Sequence, residues 1–198
     1  MANFSNKIFK YRSYTPIPFL VLMVIFQDAN IMSISAGLAM ALLGEFFRLW
    51  GVSYAGSETR TTDGVGGTYL VISGAYGHLR NPLYLGNILM YIGIGIMSMA
   101  LFPYLQLASL LFFIWQYLII ISEEEKFLRT KFGSHFEDYL VSVPKMIPRL
   151  TKYVNPDIPQ PQLKINMGFR SERRTLQAFS IIVLIILIQF ILKRFVLN

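Results

Sequence analysis

Long apolar runs separated by short polar breaks set the pattern of this chain. The first run, Pro16 to Gln27, is shorter than the roughly 20 residues that a membrane-crossing helix needs. Asp28-Ala29-Asn30 reads as a tight turn, and Ile31 to Trp50 is the second run. The third, Leu83 to Phe102, passes almost directly into the fourth, Pro103 to Ser122. The last is Thr175 to Leu192, closed by Lys193 and Arg194. Two other stretches are amphipathic. Residues 1–13 intersperse Phe4, Ile8, Phe9 and Tyr11 with Lys7, Lys10 and Arg12, as a short interfacial helix would. Phe127, Leu128, Phe132, Phe136, Tyr139 and Leu140 recur at helical spacing, with Gly133 as a break. The pattern predicts an all-α integral membrane protein with about five transmembrane helices and an interfacial amphipathic helix.

Composition supports a membrane chain. Of 198 residues, 54% are hydrophobic and only 15% charged, and mean hydropathy is +0.49. A soluble domain carries more charge. The chain has no cysteine, which excludes disulfides, thiolate metal sites and cysteine nucleophiles. His78 and His135 are isolated, so no histidine metal site is expected; His135 belongs on the polar face of an interfacial helix. The net charge of +7 reads as positive-inside bias and contact with anionic lipid rather than nucleic acid. Nearly all basic residues fall in the N-terminal segment, residues 51–82 and residues 123–174, and the breaks at 28–30 and 102–104 have none. With five spans, this puts those basic segments in the cytoplasm. Lys193 and Arg194 then fall on the opposite side. No cleavage site follows the basic N-terminus, so no removable signal is read there. The absence of cysteine and the short loops fit a prokaryotic inner membrane.

The polar residues gather in few places. Gly37, Ala41 and Gly44 lie on one helix face and suit close helix packing. Glu45 and Arg48 can pair three residues apart; such a pair marks either a functional site or the interfacial end of a helix. Gly51 to Gly67 is a glycine-, serine- and threonine-rich loop without a Walker lysine motif. It leads through Thr68 to Ser73 into Gly-Ala-Tyr-Gly-His-Leu-Arg-Asn-Pro-Leu-Tyr-Leu-Gly, residues 74–86. Proline suits a first helical turn and disfavours α geometry in the residue before it, so Asn81-Pro82 should open the third helix. The joint Leu101 to Tyr104 permits only a hairpin, so the flanking helices are antiparallel neighbours. Their outer ends then meet, and Arg80 to Tyr84 lies beside Ser122 to Glu125. The joined cluster holds Glu123, Glu124 and Glu125, His78, Arg80, Tyr76 and Tyr84. It has no nucleophile elbow and no metal cage.

Three blocks carry a resemblance. They are Arg80-Asn81-Pro82-Leu83-Tyr84-Leu85-Gly86; Glu124-Glu125 with Leu128, Phe132-Gly133, Phe136 and Tyr139; and Val143-Pro144 with Ile147-Pro148. In this order around a two-helix hairpin they resemble the isoprenylcysteine carboxyl methyltransferase and phospholipid N-methyltransferase superfamily of membrane enzymes, over about residues 65–150. The resemblance implies an S-adenosylmethionine-dependent enzyme, releasing S-adenosylhomocysteine, with a cytoplasm-facing pocket. It divides a single domain, 1–198, into an N-terminal helical hairpin (14–50), a cofactor-binding core (65–150) and a C-terminal transmembrane helix (175–192). By position Thr68, Tyr69, Leu70 and Val71 look like the cofactor-lining strip, followed by Tyr76, Asn81, Pro82, Leu83 and Tyr84, with Glu124 as the cofactor's glutamate. The carboxyl methyltransferase branch has histidine where Asn81 stands and arginine where Ile120 stands, so the chain is closer to the phospholipid branch.

Methyl transfer from a sulfonium demands mainly alignment. Carboxylates suit the cofactor's hydroxyls and ammonium, and Arg80 suits its carboxylate. An amine acceptor must lose a proton before attack, and Glu125 or His78 are the expected bases. The expected acceptor is a lipid or small hydrophobic molecule that enters sideways from the membrane. A membrane sterol-type reductase using NADPH and a non-enzymatic membrane protein are the alternatives.

Overall fold

The computed structural model describes residues 2–56 and 70–195, and for residues 2–6 and 195 the backbone alone. The helices are α1 (Ala2–Tyr11), α2 (Pro16–Ile25), α3 (Ile31–Ala55), α4 (Pro82–Ser98), α5 (Tyr104–Phe132), α6 (Ser134–Ser142) and α7 (Ile165–Phe195). A 3-10 turn covers Gly74–Gly77, and no strand occurs among the described residues. By length and composition α3, α5 and α7 can each cross a membrane. Helices α2 and α4 are apolar but only 10 and 17 residues long. At 1.5 Å per residue, α2 rises about 15 Å, half of a ~30 Å hydrocarbon core.

Local chemistry explains the boundaries. Asn30 caps α3 reciprocally with Ser33: its side chain accepts from the Ser33 N–H, and its own N–H donates to the Ser33 hydroxyl, both at 3.0 Å. Pro82 opens α4 after a non-helical Asn81 (φ −127°, ψ 60°), as the sequence leads one to expect. Helix α5 does not stop at Ser122. No breaker stands before Gly133, and Arg129 and Lys131 favour the negative end of the helix dipole, so the helix runs on to Phe132. Phe127, Leu128 and Phe132 therefore belong to α5, and the break falls at Gly133 (φ +55°), a conformation that glycine adopts without strain. Helix α7 likewise starts well before the apolar run, at Ile165.

The α3–α4 pair is the most extensive helix contact. Gly37, Gly44 and Gly51 recur every seven residues on α3 and face Gly93, Gly86 and Pro82 of α4. A Cβ on Gly44 would lie 2.5 Å from the Gly86 carbonyl oxygen, so backbone meets backbone there. Small residues allow this approach, which apolar helices in lipid need because lipid competes for their larger side chains. Met23, Ala41, Met90, Ile94, Met97, Leu105 and Ile186 fill the space among α2, α3, α4, α5 and α7.

The helix ends sort into two groups. The Asp28 N–H donates to the Ser98 carbonyl at 2.8 Å, and Lys193 pairs with Asp28 at 2.6 Å. The turn before α3, the turn after α4 and the end of α7 thus share one end of the bundle. Lys193, which with Arg194 falls at the end away from the main basic segments, meets an acid there. The opposite end collects residues 70–82, the α5 glutamates, α6 and residues 143–164, around a separate core of Leu70, Ile72, Phe136, Tyr139, Val143 and Ile158.

Gly44→Val places methyl groups where the Gly86 carbonyl stands and should cost about 1–3 kcal/mol or more. Thermal unfolding in detergent checks this: a clear loss of Tm is expected, and an unchanged Tm contradicts the backbone contact.

Candidate active site

The α4–α5 hairpin does bring the two polar blocks together. The Tyr84 hydroxyl donates to Glu124 at 2.5 Å. Arg80 Nε donates to Glu125 Oε1 at 3.2 Å, and its Nη2 lies 3.1 Å from the same oxygen. Lys145 approaches the other Glu125 oxygen at 3.6 Å. Glu123 points outward and pairs with Lys126.

The third block wraps the first. Arg80 Nη1 donates to the Leu140 and Val143 carbonyls at 2.8 and 2.5 Å, and its N–H donates to the Pro144 carbonyl at 2.9 Å. The Asn81 side chain donates to the Lys145 carbonyl at 3.0 Å. The N–H groups of Arg149 and Tyr153 donate to the carbonyls of His78 and Gly77, both at 2.9 Å. Residues 143–153 are therefore a strap across the turn that contains Arg80 and Asn81. The prolines Pro144 and Pro148 suit such extended backbone.

The turn itself is held from several sides. The Tyr139 hydroxyl donates to the Tyr76 carbonyl at 2.8 Å. Tyr76 is half-buried; burial holds its hydroxyl well above the ordinary tyrosine pKa, and the Glu124 carboxylate pushes the same way, so it remains a proton donor. His78 Nδ1 lies 2.9 Å from the Arg149 carbonyl, which can only accept. Nδ1 therefore carries a proton, and in the neutral ring Nε2 has the lone pair. The His78 ring packs beside Trp50, with centroids 5.5 Å apart. Leu70 is buried, Val71 and Leu83 are half-buried, and Pro82 packs against Gly51. Thr68 and Tyr69 lie outside the described residues.

Several contributors carry no sequence signal. Gln160, in a proline-rich loop, clasps the backbone before the turn: its amide donates to the Leu70 carbonyl at 3.0 Å and accepts from the Ile72 N–H at 2.8 Å. Glu172 sits in a basic run, yet it is fully buried and meets Arg48 at 2.5 Å. The Glu45–Arg48 pair forms at 3.7 Å, but it does not end its helix, which continues to Ala55. Helix α1 also reaches the site. Ile8 and Phe9 join the Phe113, Tyr117 and Ile120 cluster that includes Tyr84, and Arg12 comes within electrostatic reach of Glu124. A depression lined by Leu163, Lys164, Ile165, Asn166 and Met167 opens at the start of α7, with no ring or carboxylate on its wall.

An apolar helical bundle with carboxylates, phenols and a histidine gathered at one end defines a helical membrane protein with a polar site at that end. Residues 32–135, more than half the chain, match the phospholipid methyltransferase family, and the chain belongs to it. Over 119 residues it is 34% identical to the cobalt-zinc-cadmium resistance protein CzcN of Cupriavidus metallidurans, covering 59% of this chain and 48% of that protein. The chain thus spans about half the length of this curated relative. No solved structure matches it significantly.

Arg80→Ala leaves Glu125 and two carbonyls short of a partner, and breaking such a pair costs about 3–5 kcal/mol when it is well buried. Limited trypsinolysis should then cut at Lys145 or Arg149 much faster than in the parent. An unchanged digestion pattern contradicts the strap.

Proposed function

We propose that this chain is an S-adenosylmethionine-dependent methyltransferase that methylates a lipid or small hydrophobic acceptor at the Glu124 end of the bundle. The observation that carries the reading is the Tyr84–Glu124 contact, which sets a half-buried carboxylate against phenol rings beside a glycine-bearing turn. The donor set fits the cofactor. A carboxylate offers about four acceptor sites and Tyr84 occupies one, leaving capacity for hydroxyl or ammonium groups. The half-buried rings of Tyr76 and Tyr84 suit a cationic centre. The cofactor supplies an electrophilic methyl group on a sulfonium.

The chain's own residues do the rest. Glu124 anchors, Tyr84 orients Glu124, and Leu70, Val71, Tyr76, Asn81, Pro82 and Leu83 line the approach. Arg80 and Glu125 fix the turn through their mutual pair. An amine acceptor must be deprotonated, and His78 Nε2 or Glu125, directly or through water, takes that proton. Ile120, buried in an apolar cluster, offers no cation to an acceptor carboxylate, which favours an amine-bearing lipid over a prenylcysteine. Lys145, Arg149, Lys164, Arg170, Arg173 and Arg174 flank the polar end, and we read that end as cytoplasmic in a multi-pass bacterial inner-membrane protein.

Calorimetry on the detergent-purified protein tests the cofactor. S-adenosylmethionine or S-adenosylhomocysteine should bind, and Glu124→Ala should weaken binding about 10- to 100-fold, as loss of a hydrogen bond to a charged group does. Binding of NADPH with neither methyl cofactor bound would overturn the reading in favour of a reductase.

A further inference from the structure

The Glu124 site is connected to a second polar cluster deeper in the bundle. Arg48 of α3 is 8% exposed and lies among residues of three helices. Its Nη2 donates to Glu172 of α7 at 2.5 Å and to the Thr175 hydroxyl at 3.3 Å. Its Nη1 donates to the side-chain amide oxygen, Oδ1, of Asn87 on α4. Asn87 makes a polar contact with the Tyr117 hydroxyl, which also meets Tyr91. The Tyr117 ring stacks on Tyr84, with centroids 4.8 Å apart and planes at 26°. Tyr84 in turn donates to Glu124. The path from Arg48 to Glu124 runs through neighbouring side chains, with hydrogen bonds at both ends and a ring stack between Tyr117 and Tyr84, and it joins α7, α3, α4 and α5.

Placing a guanidinium there is costly, because a buried charge without good partners is strongly destabilising. Gly86 carries the imprint of this arrangement: a Cβ on it would lie 2.5 Å from Arg48 Cγ, so α4 leaves room for the arginine's stem one residue before Asn87. The stem runs along α4 and delivers the charge to Asn87 and Glu172 together.

We propose that Arg48 is a positioning residue for the Glu124 site: through Asn87 and the stacked Tyr117 and Tyr84 rings, it sets the Tyr84 hydroxyl on the Glu124 carboxylate. The proposal rests on Glu124 being a cofactor contact. Arg48 touches no reacting atom in this account. It fixes the direction of one hydrogen bond, with Glu172 holding the guanidinium from the other side.

The experiment measures S-adenosylhomocysteine affinity and stoichiometry by calorimetry on the full chain in detergent, with Tm recorded alongside, for the parent, Arg48→Ala, Asn87→Leu and Tyr117→Phe. Arg48→Ala removes a buried cation from beside Glu172 and is the variant most exposed to misfolding. Tyr117→Phe keeps the stack and removes only the hydroxyl that meets Asn87. Asn87→Leu and Tyr117→Phe should each weaken binding about 3- to 10-fold at parental stoichiometry, the scale of one neutral hydrogen bond. A purely structural role would lower Tm and the binding-competent fraction and leave the Kd of that fraction unchanged. Parental Kd in both variants overturns the proposal while the cofactor reading stands. A parent protein that binds no methyl cofactor overturns the cofactor reading, and the proposal with it.

Discussion

Backbone touching backbone along α3 and α4 is the constraint on which the rest of this molecule depends. Gly37 and Gly44 let α4 approach so closely that carbonyls occupy the space of side chains, and Gly51 makes room for the Pro82 and Leu83 side chains. In lipid, apolar side chains gain little by leaving one apolar neighbour for another, so close packing and buried polar contacts must supply the association. The glycine seam supplies the packing, and Arg48, next to the seam at Gly86, supplies the polar contact. The same approach sets Pro82 against Gly51, which fixes where α4 begins and therefore where the Arg80-Asn81-Pro82 turn stands.

From that point the site follows by connection. A short turn after α4 sends α5 back alongside it, and this antiparallel return carries Glu124 to Tyr84 and Glu125 to Arg80. Because α5 runs ten residues past Ser122, α6 and the strap of residues 143–153 can fold back over the turn. Arg80 spends its side-chain donors on Glu125, the Leu140 carbonyl of α6 and the Val143 carbonyl of the strap, so the polar end is tied together by backbone acceptors as much as by charge pairs.

Much of this is legible in the sequence because it depends on local or short-range rules. Proline at 82 and glycine at 133 mark a helix start and a helix break through their own backbone preferences. The meeting of Arg80 and Tyr84 with the glutamates follows from the length of one hairpin joint. The small-residue face at Gly37, Ala41 and Gly44 announces a close partner without naming it. What the sequence withholds is long-range and sparse. Glu172 lies 124 positions from Arg48 among surface-like arginines, and its burial depends on how α7 packs. Gln160 is one amide in a proline-rich loop, and nothing local says that it will clasp Leu70 and Ile72. The reach of α5 beyond Ser122 was hidden because a charged stretch reads as the end of a span, although it need not end a helix.

The central claim is that methyl transfer to a membrane acceptor occurs at the Tyr84–Glu124 end of the bundle. The most direct test is to incubate the purified protein with methyl-labelled S-adenosylmethionine and vesicles containing an amine-headed phospholipid, then count label in the extracted lipid. The account predicts label in the lipid fraction that depends on protein and is abolished by Glu124→Ala. Lipid that stays unlabelled, across amine-headed phospholipids and a total membrane extract, with a protein that binds the cofactor, would contradict it.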